Sequence, residues 1–418
     1  MTFAQWLIRA AIAVVSGGVA PVSTVHAQCY EITAIIEGPA CDPPFDDPPP
    51  TSVTALSTTP EGEIQVLGYY ASCQIGPDLP FVWTPSQGLV TLTPPPGIGN
   101  GAARDGVNGL VVGSMGGNVS PLLGLLYDGA FQELETMPDG NFSQAWAIAL
   151  NGPTVVGTWG NNLTGPLHGI IWQGETTIDF GPIAGTRSSR LNDINEELQT
   201  VGWIGSSLAD AIAVRYDITG GALEVLGPIP GGYTSEGNAI NSVGQVTGGG
   251  RLPNPAGGLP LKQVFVHLND QIINLGGMPE FDLNAGTAIN DDGIVVGRSW
   301  GFRGDVNTSH AFIYNDGFAD LNDLIPAKSG VVVTAAWAID NQGHIAANGE
   351  IGNHKIGLLL TPVDLGLGDL NGDGSVGAFD LALMLAAWGK CTDCSADLDG
   401  DNSVGSADLA ALLANWTC

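Results

Sequence analysis

Ala288-Ile289-Asn290-Asp291-Asp292-Gly293-Ile294-Val295-Val296-Gly297 is the stretch from which the fold can be read. An apolar segment runs into Asn-x-x-Gly, where glycine takes a positive φ at little cost, and a β-branched triplet leads away. That pattern is a hairpin. It continues through His310-Ala311-Phe312-Ile313-Tyr314, a turn at Asn315-Asp316-Gly317 and a short last strand at Ala319-Asp320-Leu321. Other copies read Ala239-Ile240-Asn241-Ser242-Val243-Gly244-Gln245-Val246-Thr247-Gly248 and Ala147-Ile148-Ala149-Leu150-Asn151-Gly152. The glycine closing the second strand recurs at Gly68, Gly113, Gly157, Gly202, Gly248 and Gly297, and Ala347 takes its place in the seventh copy.

Each copy reads as four short strands. The third ends in an aromatic at Val82-Trp83, Leu126-Tyr127, Ile171-Trp172, Arg215-Tyr216 and Ile313-Tyr314, and the fourth ends near Leu134, Phe180, Leu226, Leu275 or Leu321. Four strands in about 45 residues, repeated seven times, is the period of a β-propeller blade. A mainly β, seven-bladed β-propeller over residues 28–362 is therefore the expectation, with an open β-solenoid as the rival. One blade cannot cover both of its faces, so copies must stack, and a ring removes the open ends. The seventh copy lacks a fourth strand, because Pro362 follows Leu358 to Leu360 with no hairpin. Tyr30 to Ile36 is a spare β-rich segment, expected to complete that blade and close the ring.

Outward from the repeats, composition narrows the class. Acids outnumber bases 42 to 12, giving a net charge of −30, which disfavours nucleic acid and anionic membrane. With 44% hydrophobic residues the chain is not an acidic disordered one, and 61 glycines fit many tight turns. Arg9 precedes an apolar run from Ala10 to Ala20, and Val25-His26-Ala27 suits cleavage, so residues 1–27 read as a signal peptide of a secreted or cell-surface protein. A membrane anchor is the alternative, but Gly17, Gly18 and Pro21 break the run. Export makes disulfides plausible among Cys29, Cys41, Cys73, Cys391, Cys394 and Cys418, with the pairing open. Cys391-x-x-Cys394 is readable as a redox or zinc pair, but a bridge from this inter-loop linker to Cys418 is the favoured reading.

Beyond a linker at 363–367, the chain changes character. Asp369-Leu-Asn371-Gly-Asp373-Gly374-Ser375-Val-Gly377-Ala378-Phe379-Asp380 carries side-chain oxygens at positions 1, 3, 5 and 12 and a glycine at the sharp turn of position 6. The carbonyl of Ser375 supplies position 7, and the whole is the logic of a loop wrapping a hard cation. A second copy has Asp397, Asp399, Asp401, Ser403 and Asp408, with Asn402 at position 6. Each is read as leading into an apolar helix ending in Trp, Leu381 to Trp388 and Leu409 to Trp416. Two Ca²⁺ ions are implied; a pair of solvated acidic turns is the plain alternative.

The duplicated loop and helix over residues 368–418 resemble a dockerin, a module that docks an extracellular protein to a cohesin. The resemblance implies a cohesin-like partner read at loop positions 10 and 11, here Ala378, Phe379, Ser406 and Ala407. Position 9 is glycine in both loops, Gly377 and Gly405, and the basic helix residues of many such modules are absent. Within the repeats, His310-Ala311-Phe312 resembles the HAF repeat of exported bacterial proteins; only the sixth copy carries all three residues, the third having His168-Gly169-Ile170.

No catalytic residues are assigned. His168 and His310 occupy equivalent repeat positions and read as ties between strands, rather than as metal ligands or a base. His267, His344 and His354 have no obvious partners in the sequence. Asp291-Asp292 and Glu196-Glu197 fall in turns, and Glu280, Asp282 and Asp305 are loop acids whose convergence sequence does not show. Trp159, Trp203 and Trp300 follow the second-strand glycine, as packing between blades or as platforms for sugars. The leading expectation is a monomeric, exported, non-catalytic binding protein docked through its tail, with a polysaccharide or surface ligand on the propeller. A dockerin-borne polysaccharide hydrolase or lyase, and a structural envelope or adhesion protein, are the alternatives.

Overall fold

Each copy of the repeat lies in a sheet of four antiparallel strands. The computed structural model describes residues 29–41, 48–72, 78–94, 100–116, 122–161, 165–183, 185–303, 306–326, 328–363, 368–371, 376–391 and 394–414. The signal-peptide reading, Cys73, Cys418, Asp305, Asp373, Ser375, Trp416 and the 364–367 link fall outside them. The protein is mainly β. We number the four-stranded units I to VII in chain order. Their first strands are Thr51–Thr58, Gly101–Val107, Phe142–Ala149, Ser188–Ile194, Glu236–Ile240, Leu283–Ile289 and Val331–Ile339. Sheets V and VI are joined by one parallel bridge, Lys262 to Leu283.

The outer strand of sheet VII comes from the opposite end of the chain. Tyr30–Ile36 pairs antiparallel with His354–Pro362, from Tyr30 opposite Pro362 to Ile36 opposite Gly357. The first strand of every sheet packs against the first strands before and after it, and that of sheet VII against that of sheet I. The junction carries a hydrogen bond from the Val53 N–H to Asn348 Oδ1, 2.7 Å. The core lies between sheets. One cluster joins Ala147, Val156 and Ile171 of sheet III to Leu191 and Ile194 of sheet IV; the next joins Val201 and Ala213 to Ile240, Val246 and Phe265.

Two local devices explain the repeat motif. The first is the turn asparagine, which serves two sheets at once. Asn241 Oδ1 accepts the Gln245 N–H within its own turn at 2.8 Å, and its Nδ2 donates to the Asn290 carbonyl of the next sheet at 2.9 Å. Asn195 does the same toward Asn241, and Asn290 toward Asp340. An aspartate could cap the turn but has no N–H to pass on, and it appears only at Asp340, where the run ends. The turn acids extend the stitching. Glu196 accepts the N–H groups of Leu150 and Asn151, and Asp291 accepts that of Ser242. These carboxylates are inter-sheet clamps as well as turn formers. In sheet IV the positive-φ position is held by Leu198 (φ 58°), whose side chain is buried in the III–IV cluster.

The second device is a β-bulge in every first strand, at Thr54, Arg104, Trp146, Asn192, Asn238, Thr287 and Trp337. The bulge swings a first-strand carbonyl toward the facing residue of the second strand. A Cβ on Gly202 would lie 1.8 Å from Arg190 O, and one on Gly248 1.9 Å from Glu236 O. That contact is why the second strand closes on glycine. Sheet VII, with Ala347 there, has a second register shift at Val333/Ala335.

The chain after residue 368 has its own core of Val376, Met384, Ala396, Val404 and Leu412. Helix α1 spans Ala378–Ala386 and helix α2 Ser406–Ala414. The sequence placed α1 at Leu381 to Trp388 and α2 from Leu409; both helices begin three residues earlier, and α1 stops before Trp388. Asp380 and Asp408 accept the N–H groups of Gly377 and Gly405, which fixes each helix start at the end of its loop. A two-residue ribbon pairs Gly389–Lys390 with Ser403–Val404. Cys391 and Cys394 are bonded to each other, which corrects the expected bridge to Cys418 and also excludes a zinc pair in this state. The Cys391 N–H to Asn402 carbonyl bond and the Asp397 N–H to Cys394 carbonyl bond fold this linker back on itself. Cys29 and Cys41 are each disulfide-bonded.

Candidate calcium loops and the ring axis

The two loops are built alike, atom for atom, where both are described. Asp380 Oδ1 accepts the N–H groups of Leu370 and Asn371, and Oδ2 that of Gly377. Asp408 Oδ1 accepts those of Leu398 and Asp399, and Oδ2 that of Gly405. Both carboxylates are 1% exposed. The Gly405, Asp399 and Leu398 N–H groups hold the Asp408 carboxyl below the usual carboxylate range, against the opposing pull of burial.

In the second loop, oxygens of Asp397, Asp399 and Asp401 lie within 4.8 Å of one another. It is the one such gathering of three acidic, histidine or cysteine ligands among the described residues. Asn402 adopts φ 67°, the left-handed turn that position 6 requires. Asp397 Oδ2 accepts the Asn402 N–H, which brings the turn over the carboxylates. Three like charges so close repel by about 1 kcal/mol per pair even in bulk water. All the donors are hard oxygens, so the set suits Ca²⁺ rather than a thiophilic metal. In the first loop Asp369, Asn371 and Asp380 are described, and Asp373 and Ser375 are not.

Beside the loops, Ala378, Phe379, Ser406 and Ala407 are all exposed, Phe379 at 76%. Leu383, Leu385 and Leu413 on the helices, and Trp388 just beyond α1, are exposed too, an apolar surface on so short a segment.

The repeat histidines are ties. His310 Nδ1 lies 2.6 Å from Asp320 Oδ2 across the third and fourth strands of sheet VI, and His168 Nδ1 lies 3.4 Å from Asp179 in sheet III. The remaining histidines, unpartnered in the sequence reading, each meet an acid: His344 with Asp340 at 2.7 Å, His354 with Glu37 at 3.2 Å and His267 with Glu224 at 3.5 Å. Those partners come from loop folding and from other strands, which spacing along the chain does not reveal. Trp159 and Trp203 are buried, and Trp159 Nε1 donates to Asp179. Trp300 is half-buried beneath Arg298, whose guanidinium carbon is 4.4 Å from the ring centre.

The first strands line the axis, and they hold polar groups the sequence reading passed over. At the bulge, Thr54, Asn192, Asn238 and Thr287 each bond to a carbonyl of the next first strand. Arg104, Trp146 and Trp337 stand at the same position and are too large for that link. One residue further on, Asp105 accepts the Ile148 N–H and Asp193 that of Ile240. Burial raises their carboxyls, to about 6 for Asp105 and about 7 for Asp193, the latter helped by Asp105. The available signal was the break in the repeat itself: a charge where other copies carry Thr, Asn, Trp or Ala.

No protein-family model and no curated protein matches the chain. Among solved structures it is similar to the β-propeller domain of the Trilobed protease from Pyrococcus furiosus, at 9% identity over 75% of this chain and 96% of that one, TM-score 0.49. It is also similar to YCF48 bound to D1 peptide, at 10% identity over 79% and 97%, TM-score 0.43. Both are β-propellers. No helix among the described residues is long and apolar enough to cross a membrane.

Proposed function

We propose that this is an exported, seven-bladed β-propeller that binds a ligand on its ring and is held to a cohesin-like partner or surface assembly by a calcium-binding dockerin tail. The observation that carries the docking half is the identical wiring of Asp380 and Asp408 above two loops of the same ligand pattern. Asp369, Asn371, Asp373, the Ser375 carbonyl and Asp380 would hold one ion; Asp397, Asp399, Asp401, the Ser403 carbonyl and Asp408 the other. Bound Ca²⁺ supplies positive charge that offsets the clustered carboxylates and ties each loop to its helix. The chain's own part is to aim the position-12 carboxylates with backbone N–H groups. With the loops set, Ala378-Phe379 and Ser406-Ala407 form the face offered to the partner.

Capture of the full chain on an immobilised cohesin-type module tests this reading. Capture is expected in Ca²⁺, lost in chelator, and lost in the Asp369→Ala/Asp397→Ala variant. Equal capture with and without chelator would show the tail does not dock through calcium. The circular-dichroism β-signal should survive chelation, because no loop of this kind lies inside the repeats.

A further inference from the structure

Arginines are scarce in this acidic chain, yet two of them meet over one indole on the ring axis. Arg104 of sheet II and Arg190 of sheet IV place their guanidinium carbons 4.9 and 4.0 Å from the Trp146 ring centre in sheet III. Those distances put the two guanidinium carbons at most about 9 Å apart, gathered on one side chain. Tyr69 of sheet I completes the arc, 5.8 Å from Arg104.

Among the described residues Arg104 and Arg190 form no ion pair, whereas Arg215 holds Glu224 and Lys262 holds Glu236. The Nε atoms of both Arg104 and Arg190 are buried without a hydrogen-bond partner. Asp105 and Asp193 are engaged with backbone N–H groups of neighbouring sheets, and Glu236, whose charge favours the charged form of Arg190, gives its Oε2 to Lys262. Burial, and then the charge of Arg104, bring the Arg190 guanidinium down to about 10, with Glu236 acting the other way, so it stays charged at neutral pH. Stacking on Trp146 offsets part of the cost of burying each cation, but gives the Nε–H groups no acceptor.

We infer that Arg104 and Arg190, stacked on Trp146, form a binding site on the ring axis for an oxyanion group: a carboxylate, sulfate or phosphate. A planar fork on each side fits two oxygens of one such group, and the indole fixes where the forks point. The carrier is a small anion or an acidic sugar within a longer glycan, and the recognising chemistry is the same. This deepens the binding reading of the ring and rests on it, and it is independent of the tail.

The test is isothermal titration of the full chain, at fixed ionic strength set with chloride, using sulfate, inorganic phosphate, galacturonate and polygalacturonate, with dextran as the neutral probe. Saturable binding of at least one oxyanion is expected, with affinity at least ~10-fold weaker in Arg104→Gln and in Arg190→Gln. Arg190→Lys, which keeps the charge but loses the fork, should fall between. Tighter polygalacturonate than galacturonate would assign a glycan, and equal affinity a small anion; both support the site. Absence of heat with all four anions up to about 10 mM overturns it, whatever the variants do. Binding of dextran alone, unchanged in both variants, also overturns it while leaving the ring a binder.

Discussion

Replacing Tyr30 and Ile36 together by alanine is expected to cost the protein about 5 kcal/mol or more, enough to leave much of it unfolded. These two residues end the strand that completes sheet VII, and they are 3% and 1% exposed. Tyr30 packs with Val333, Leu358 and Leu360, and Ile36 with Val53, Phe81 and Leu359, so one short strand ties sheet VII both inward and to sheet I. Large-to-small changes at such sites each cost about 2–5 kcal/mol, since the cavity adds to the lost transfer term. The Tyr30 N–H also bonds to Leu324 O, and the Val363 N–H to Cys29 O, so the strand anchors both ends of the repeat region. Ile35, on the same strand but 46% exposed, is the matched control, and Ile35→Ala should be close to neutral. Thermal unfolding of the three proteins decides the matter. Equal midpoints for the double variant and the native chain would mean that the strand is a passive edge.

Gly202→Ala should be the most damaging single methyl group that can be added to a second strand. Its Cβ would sit 1.8 Å from Arg190 O, 2.8 Å from Arg190 C and 3.0 Å from Leu191 Cα. All three are backbone atoms, held by the bulge between Leu191 and Asp193, so no side chain can swing away. Relief requires moving a first strand that is bonded to the next sheet through Asn192 and Asp193. We expect a loss of about 3 kcal/mol or more. Gly301→Ala is the comparison, because its nearest neighbour would be Asp282 N at 3.6 Å, an ordinary contact. If both variants melt together, the recurrent glycine has another cause than the bulge.

The four-strand period was legible because it is written in turn chemistry and alternation, which depend on neighbours along the chain. Asn241 and Gly244 announce their hairpin locally, and fourth-strand ends such as Asp179 and Asp320 fall within a residue of the expected Phe180 and Leu321. The second task of Asn241, donating to Asn290, was not legible, because it links residues 49 apart. The left-handed turn at Asn402 could be read for the same local reason. Helix starts were missed by three residues because apolar content, rather than the capping of Asp380 and Asp408, was used to place them. The axial cluster was hidden because Arg104, Trp146 and Arg190 come from three sheets, and each alone reads as an ordinary strand residue. The tying role of His168 and His310 was legible from their equivalent repeat positions, but the partner was not; His310 reaches Asp320 only after the hairpin folds back.

Calcium titration of the full chain, followed by calorimetry, tests the central proposal most directly. The proposal predicts binding of two ions per chain, reduced to none in the Asp369→Ala/Asp397→Ala variant. No heat of binding at millimolar Ca²⁺ in the native chain would contradict it.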